Sequence, residues 1–383
     1  MMKFFKLGGV VASSALLVGC GTTHPVASNR PPSPPASTTA SSPSSTQSTP
    51  TSSQNSSGVS PSAPTTASGS PTTWQPGPMD FISPSTGWVA AREIAANGQW
   101  IAEALFVTKN GGQNWTRLAE WSQKSPMPLP GNAETGTGIP PISQLNFQNS
   151  TLGSAIISLG AGACQAGYGV LTTNDGGSRW VLQTHSMLMG QDGPLGLSST
   201  SSESSWFANG SCAGAYTSLY KSSDGGQQWA PTATLKTTNL SPTAISFHFT
   251  SPTQGFLVNG ANGYQQVPSS LTLYTTRDAG QHWTESSISS QGLPSIIAGL
   301  SFIAPETGWA VAYAQNQSAQ VYRLRGGTWI ALNTPSRSSQ SPPTIDLVNS
   351  KVAYLNQPEG TGGTLWKTVD GGARWSAIPF PPH

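Results

Sequence analysis

Charge and cysteine are both scarce in this chain of 383 residues. Only 8% of the residues are Asp, Glu, Lys or Arg, with 17 basic and 15 acidic side chains. Lys3, Lys6 and Arg30 precede position 74, which leaves 14 basic against 15 acidic residues in the remainder. Such a balance provides no basic surface for a polyanion, so we expect no nucleic-acid partner.

Long apolar runs are also lacking. The one extended run covers residues 7–18 and is too short for a permanent membrane span. It follows two lysines and ends in Leu17-Val18-Gly19-Cys20, which resembles the lipobox of bacterial lipoprotein signal peptides. The resemblance implies a signal peptide over 1–19 and a lipidated Cys20. We therefore expect a protein held by its N-terminal lipid on the extracytoplasmic side of the cell membrane. The alternative is an uncleaved signal followed by a chance cysteine.

Residues 20–73 are predicted to form the lipidated cysteine and a disordered tether. From 21 to 73, Ser, Thr or Pro occupies 37 of the 53 positions, and Ile, Leu, Met, Phe, Trp and Tyr are absent. Such a segment cannot bury enough apolar surface to offset the entropy of ordering. The frequent prolines keep it extended, so it is predicted to act as a spacer.

The remaining residues, 74–383, contain a repeated motif of the form Thr-x-Asp-Gly-Gly-x-x-Trp. The motif occurs six times. Five copies have the full length, and the first of them has Asn in place of Asp; the fifth copy in the series is shortened. The closing tryptophans are 65, 49, 54, 46 and 46 residues apart. The motif residues that we assign to turn structure are Asn110, Trp115, Asp175, Trp180, Asp224, Trp229, Asp278, Trp283, Trp329, Asp370 and Trp375.

A second element precedes each motif, as in Phe81-Ile82-Ser83-Pro84-Ser85-Thr86-Gly87-Trp88. This element predicts a first strand, a turn and a second strand. The residues before the motif predict a third strand, and those after it predict a fourth. Four short strands per repeat are typical of a β-propeller blade. The sequence therefore predicts an all-β propeller of six four-stranded blades, with seven as the alternative.

The motif resembles the BNR or Asp-box repeat of sialidases, sortilin-like domains and photosystem II assembly-factor-like propellers, and is most similar to the last group. The resemblance implies the fold and leaves the activity open. In it, Gly supplies turn positions, and the Asp and Ser/Thr side chains accept hydrogen bonds from turn amides.

No constellation of catalytic residues is apparent. The motif carboxylates belong to different blades and are expected to lie around one rim of the propeller. The carboxylates considered outside the motifs are Glu93, Glu103, Glu134, Asp192, Glu203 and Asp346, and their spacing marks no catalytic pair. No metal-ligand spacing and no cofactor motif occurs. We expect a protein that is not an enzyme and takes no metal or cofactor. The alternative is a sialidase-like or other glycan-active hydrolase.

Cys164 and Cys212 remain once Cys20 takes its lipid, an even pair in an oxidising compartment. They precede Asp175 and Asp224 by 11 and 12 residues, so they lie in equivalent loops of neighbouring blades. We predict a disulfide between them, with two free thiols as the alternative.

The face opposite the motif turns is the predicted binding face, because the longer connections lie there. Its candidate aromatic anchors are Trp100, Trp121, Tyr168, Tyr216 and Tyr264. We expect a monomeric, protein-binding or assembly scaffold whose partner is an envelope protein or a glycan. Two alternatives remain: a glycan-binding surface protein, and aromatic rings that only cover the core.

Overall fold

The computed structural model describes residues 72–127, 139–162, 165–184, 193–210, 216–237, 245–260, 269–294, 296–313, 318–335 and 342–380. Within these ranges the chain forms six antiparallel sheets of four strands each. The predicted all-β propeller of six blades is therefore confirmed, and the alternative of seven blades is wrong. The predicted signal peptide, Cys20 and the tether as far as residue 71 lie outside the described residues.

Each blade consists of four strands that follow one another in the sequence. Blade 1 contains β1 (Thr72–Phe81), β2 (Gly87–Ala95), β3 (Trp100–Thr108) and β4 (Thr116–Ser122). Blade 2 contains β5 (Ile142–Phe147), β6 (Gly153–Gly162), β7 (Gln165–Thr173) and β8 (Val181–Thr184). Blade 3 contains β9 (Gly193–Ser199), β10 (Ser205–Gly210), β11 (Tyr216–Ser222) and β12 (Ala230–Lys236).

The other three blades repeat this order. Blade 4 contains β13 (Ile245–Phe249), β14 (Gly255–Asn259), β15 (Ser270–Thr276) and β16 (Thr284–Ser289). Blade 5 contains β17 (Ile296–Ala304), β18 (Thr307–Tyr313), β19 (Ala319–Arg325) and β20 (Thr328–Ala331). Blade 6 contains β21 (Thr344–Leu347), β22 (Ala353–Glu359), β23 (Gly362–Thr368) and β24 (Ser376–Ile378). The first strand begins at Thr72, slightly before the predicted boundary at 74.

The first strand of every blade lies innermost. Each of β1, β5, β9, β13, β17 and β21 contacts the first strand of both neighbouring blades, so the ring is closed. In β13, Ile245, Phe247 and Phe249 are buried, whereas Ser246 and His248 are only half-buried. This alternation directs apolar side chains into the core between blades and polar ones toward the central channel.

Rings from the second strand of one blade pack on the inner strand of the next. Trp88 stacks on Phe147 with a centroid separation of 3.7 Å, and Trp206 stacks on Phe249 at 3.9 Å. Blades 6 and 1 close in the same way, through Tyr354. We name each contact by its blades, as in the 1/2 seam or the 6/1 seam. The core thus consists of six layers between blades, and buried aromatic area contributes much of their stability.

The motif turns require backbone that few residues adopt. In blade 2, Gly177 has a φ of 98°, in the left-handed region that favours glycine.

Within the part of the chain that the structure describes, no helix could cross a membrane.

Candidate functional site

The motif turns lie at one end of the blades, beside the turns that join first and second strands. The amide of Gly176 donates to Thr151 O at 2.8 Å, which ties the two turns of blade 2 together. Four other blades make the same bond, through Gly111 and Ser85, Gly225 and Glu203, Ala279 and Thr253, and Gly371 and Lys351. We name this end the box face. The opposite end, where β2–β3 type turns and the connections between blades lie, is the loop face.

The motif side chains support their own turns. In blade 2, Thr173 Oγ1 accepts the amide of Gly177 at 2.9 Å, and Asp175 Oδ1 accepts the amide of Arg179 at 2.9 Å. The backbone hydrogen bond from Arg179 is the main cause that lowers the pKa of the Asp175 carboxyl. Because each such carboxylate serves a separate turn in a separate blade, the set does not surround one ligand.

The closing tryptophans fall into two groups. Three donate through Nε1 to a carbonyl of their own turn: Trp180 to Gly177, Trp229 to Gly226 and Trp283 to Gly280. Three donate to the neighbouring blade or to the segment after it: Trp115 to Pro379, Trp329 to Ser289 and Trp375 to Asn333. In both groups the indole N–H is satisfied within the fold.

Trp121 does not lie on the surface of the loop face. Its side chain is 7% exposed and belongs to the core cluster that also contains Trp88 and Phe147. The prediction that this ring anchors a partner is wrong. The residue faces the interior because Trp121 pairs with the buried Glu103 in the β3–β4 ladder.

Three other predicted anchors lie on or near the loop face. Tyr216 is 50% exposed at the start of β11. Trp100 and Tyr168 are half-buried, and the Arg92 guanidinium lies 4.8 Å from the centroid of the Trp100 ring. Tyr264 lies outside the described residues, as do Cys164 and Cys212, so the disulfide stays a prediction.

A cleft of about 360 Å³ opens on the loop face between blades 6, 1 and 2. Most of its wall is apolar, contributed by Pro76, Pro78, Met79, Leu145, Ile345 and Pro358. Asn356 also lines it. The Nδ2 of Asn356 donates to Pro76 O at 2.9 Å, while its buried Oδ1 has no hydrogen-bond partner. The cleft thus combines apolar surface with one unsatisfied acceptor.

Beside this cleft, a carboxyl group is buried in the 1/2 seam. Glu103 is 1% exposed, accepts the amide of Ile142 at 3.2 Å and lies 3.5 Å from Arg92 Nε. Burial raises the pKa of Glu103 to about 8, against the opposing effect of the Arg92 charge. Glu103 is one of the six carboxylates outside the motifs that were weighed as catalytic candidates. Its contacts are those of a group that joins two blades.

The central channel holds a cavity of about 540 Å³ lined by all six inner strands. Around it, a polar side chain of each blade accepts an amide of the next blade's inner strand. The acceptors are Asp80, Asn146, Ser198, Ser246, Ser301 and Asp346, whose donors are Phe147, Ser199, Phe249, Phe302, Leu347 and Phe81. This ring of hydrogen bonds links the blades at the axis.

Two of these acceptors are carboxyl groups on adjacent blades. Burial raises the pKa of Asp80 to about 7. Burial, and then the charge of Asp80, raise the pKa of Asp346 well above its ordinary value. Like charges so close disfavour double ionisation, so the pair retains a proton near neutral pH. Sequence reasoning included Asp346 but missed Asp80, although both precede the residue at the end of an inner strand.

The channel also contains a histidine. Within the described ranges, no group of three or more His, Cys, Asp or Glu side chains is placed to hold a metal ion. His248 lines the same cavity as Asp80 and Asp346, and burial lowers its pKa. The aromatic rings of the inner strands, such as Phe249, are buried in the seams. The cavity therefore offers carboxyl groups without an open aromatic platform.

No protein-family model and no curated protein sequence matches this chain. Among solved structures, the fold is similar to YCF48 bound to D1 peptide, with 16% identity over 81% of this chain and 83% of that one, at a TM-score of 0.43. It is also similar to the SapL1 lectin in complex with alpha methyl fucoside, with 12% identity over 81% of this chain and 97% of the lectin, at a TM-score of 0.50. A third similar structure is the Hadza microbial sialidase Hz136, with 12% identity over 78% of this chain and 66% of the sialidase, at a TM-score of 0.47.

At these identities the likeness is one of fold. Function therefore has to be argued from the sites of this chain.

Proposed function

We propose that this chain is a lipid-anchored extracytoplasmic scaffold whose propeller binds a protein partner at the loop-face cleft. The observation that supports this is the composition of the cleft: three prolines and three aliphatic or thioether side chains around a buried, unpaired Asn356 Oδ1. An apolar pocket of about 360 Å³ accommodates apolar side chains of a peptide. The free acceptor suits a peptide N–H, which would remove the cost of leaving it unsatisfied.

The role is proposed to be non-catalytic. Asp80 and Asp346, the carboxyl pair of the channel, both accept inner-strand amides. In four other blades Asn or Ser makes the same contact, so the contact itself needs no ionisable group. The glycan-active alternative draws its support from this pair alone. An Asp80→Asn, Asp346→Asn protein that still binds its partner would favour the scaffold role.

The anchor is proposed to be the lipid on Cys20. The support is the lipobox-like Leu17-Val18-Gly19-Cys20 that follows the apolar run. Intact-mass analysis of the mature protein should give a chain that begins at Cys20 and carries acyl groups, and Cys20→Ser should leave the membrane fraction or remain unprocessed. An unmodified Cys20 in mature protein would contradict the proposal.

Site-specific photo-crosslinking in the native membrane tests the binding face. A photoreactive residue at Tyr216, 50% exposed on the loop face, should crosslink the partner. The matched control is Val369, 61% exposed in a motif turn on the box face, where no crosslink is expected. Met79→Ala, which removes apolar surface from the cleft, should weaken the crosslink at position 216. A crosslink at 369 and none at 216 would contradict the assignment.

A further inference from the structure

Blade 5 lacks the motif turn that the other five blades share. In blade 3, residues 222–229 lie between the paired residues Lys221 and Ala230. In blade 5, only Gly326 and Gly327 lie between the paired Arg325 and Thr328. The bond from the motif turn to the first turn of the same blade is therefore missing here, and a notch of about 410 Å³ opens on the box face between blades 5 and 6.

The floor of this notch contains an unsatisfied buried donor. Trp88 and Trp206, at the equivalent position of blades 1 and 3, each donate from Nε1 at 2.9 Å to a carbonyl of the next blade's motif turn. Trp309 is 0% exposed and lines the notch, but its Nε1 has no hydrogen-bond partner. The equivalent carbonyl, Gly371 O, accepts Arg323 Nη1 at 3.2 Å. A buried N–H without an acceptor carries a substantial cost.

The walls of the notch are predominantly cationic. Arg323, Arg325 and Lys351 line it together with a single carboxylate, Glu306. None of these four forms an ion pair with another described residue. Arg323 uses one N–H for Gly371 O, which leaves further donors of its guanidinium for a ligand. Positive charge and unused donors in a concave site are what an oxyanion requires.

We propose that the notch between blades 5 and 6 binds an oxyanion, either the carboxylate or the phosphate group of a ligand. Arg323, Arg325 and Lys351 supply charge-assisted hydrogen bonds, and the Trp309 indole N–H supplies the donor at the floor. The notch is on the box face and the proposed partner cleft is on the loop face. The two proposals can therefore fail independently of each other.

Indole NMR on the full chain, labelled with ¹⁵N at tryptophan, tests this site. Titration with sodium acetate or with inorganic phosphate should shift the Trp309 indole signal saturably and leave the Trp206 signal in place. Trp309→Phe and Trp206→Phe assign the two signals. A response to acetate alone assigns a carboxylate, a response to phosphate alone assigns a phosphate, and a response to both assigns charge recognition.

Charge variants separate binding from folding. Arg325→Gln, at an exposed hairpin residue, should weaken the titrated affinity by about tenfold, as expected for one lost charge-assisted bond. Lys221→Gln is the control, because Lys221 occupies the strand position in blade 3 that Arg323 occupies in blade 5. It should leave the affinity unchanged. The proposal is overturned if neither anion produces a saturable shift, or if sodium chloride at equal ionic strength produces the same one.

Discussion

The 3/4 seam and the 5/6 seam each contain a buried tryptophan from the second strand of a blade, but the two indole N–H groups differ in their hydrogen bonding. Trp206 stacks on Phe249 at 3.9 Å and donates to Ala279 O at 2.9 Å. Trp309 is equally buried, but it packs in a cluster with Leu347, and its Nε1 has no partner. Burial of the ring and satisfaction of its donor are therefore separate requirements. Apolar neighbours achieve the first, whereas the second needs a free carbonyl in the next blade's turn.

The seams differ at the axis as well. The 3/4 and 5/6 seams use Ser198 and Ser301 to accept the inner-strand amide, whereas the 6/1 and 1/2 seams use Asp346 and Asp80. A serine hydroxyl does not titrate near neutral pH, whereas a buried carboxyl with a raised pKa does. The closure of the ring is consequently the place where the stability of this propeller should depend on pH.

The largest effect that we expect is a loss of stability as the pH rises. The folded pKa of Asp80 is about 7 and that of Asp346 is also raised, so their contribution is complete below the unfolded pKa and is lost as pH rises through about 7. Glu103, with a pKa of about 8, acts in the same direction. Urea unfolding between about pH 5 and about pH 9 should show a decrease of several kcal/mol in the free energy of unfolding, since each pKa unit corresponds to about 1.36 kcal/mol.

The groups around the pair do not reverse this sign. His248 lines the same cavity with a pKa lowered from 6.5, so it adds stability as the pH rises toward 6.5 and offsets part of the loss there, but not above it. Tyr354, beside Asp346, has a raised pKa, which acts in the same direction as the pair but only in more alkaline solution. The exposed carboxylate of Asp278, in a motif turn, has its pKa lowered to about 2, so its contribution is lost only in stronger acid. Asp80→Asn, Asp346→Asn keeps an acceptor oxygen at each seam and should flatten most of the pH dependence. An unchanged slope in this variant would show that the pair is not its source.

The sequence predicted the blades well because the repeat itself carries the turn chemistry. Motifs such as Thr173 to Trp180 specify a turn through local hydrogen bonds and a positive-φ glycine, and these do not depend on distant residues. The interior position of Trp121 was missed because its pairing with the buried Glu103 is set by the sheet register. Asp80 was missed because its partner, the amide of Phe147, lies 67 residues away. The sequence shows that the copy ending at Trp329 is shortened, but the resulting notch depends on residues of the next blade that the motif does not reveal.

An intermediate effect should separate the two buried tryptophans. Trp206→Phe removes an indole that is hydrogen-bonded to Ala279 O, whereas Trp309→Phe removes one whose N–H is unpaired. Both changes delete similar apolar volume at fully buried sites, so the cavity costs largely cancel in the comparison. We expect Trp206→Phe to lower the free energy of unfolding by about 1–2 kcal/mol more than Trp309→Phe. Equal losses in urea unfolding at one pH would show that the Ala279 bond contributes little.

The smallest effect concerns the stacked ring itself. Phe249→Leu gives the 3/4 seam the side chain that the 5/6 seam has at Leu347, and it removes the stacking on Trp206. The control is Phe302→Leu, at the equivalent position of blade 5, because Phe302 makes an edge contact with Trp329 at 5.9 Å in place of a stack. Phe249 itself makes edge contacts with Trp283 at 6.0 Å and with Phe247 at 5.6 Å, so the two variants differ in the stacked pair and in the contact with Phe247. We expect Phe249→Leu to cost about 0.5–1.5 kcal/mol more than Phe302→Leu. If thermal and urea unfolding give the same loss for both, the parallel stacking at the 3/4 seam adds nothing to the burial of its rings, and the difference between the two seams reduces to the hydrogen bond of Trp206.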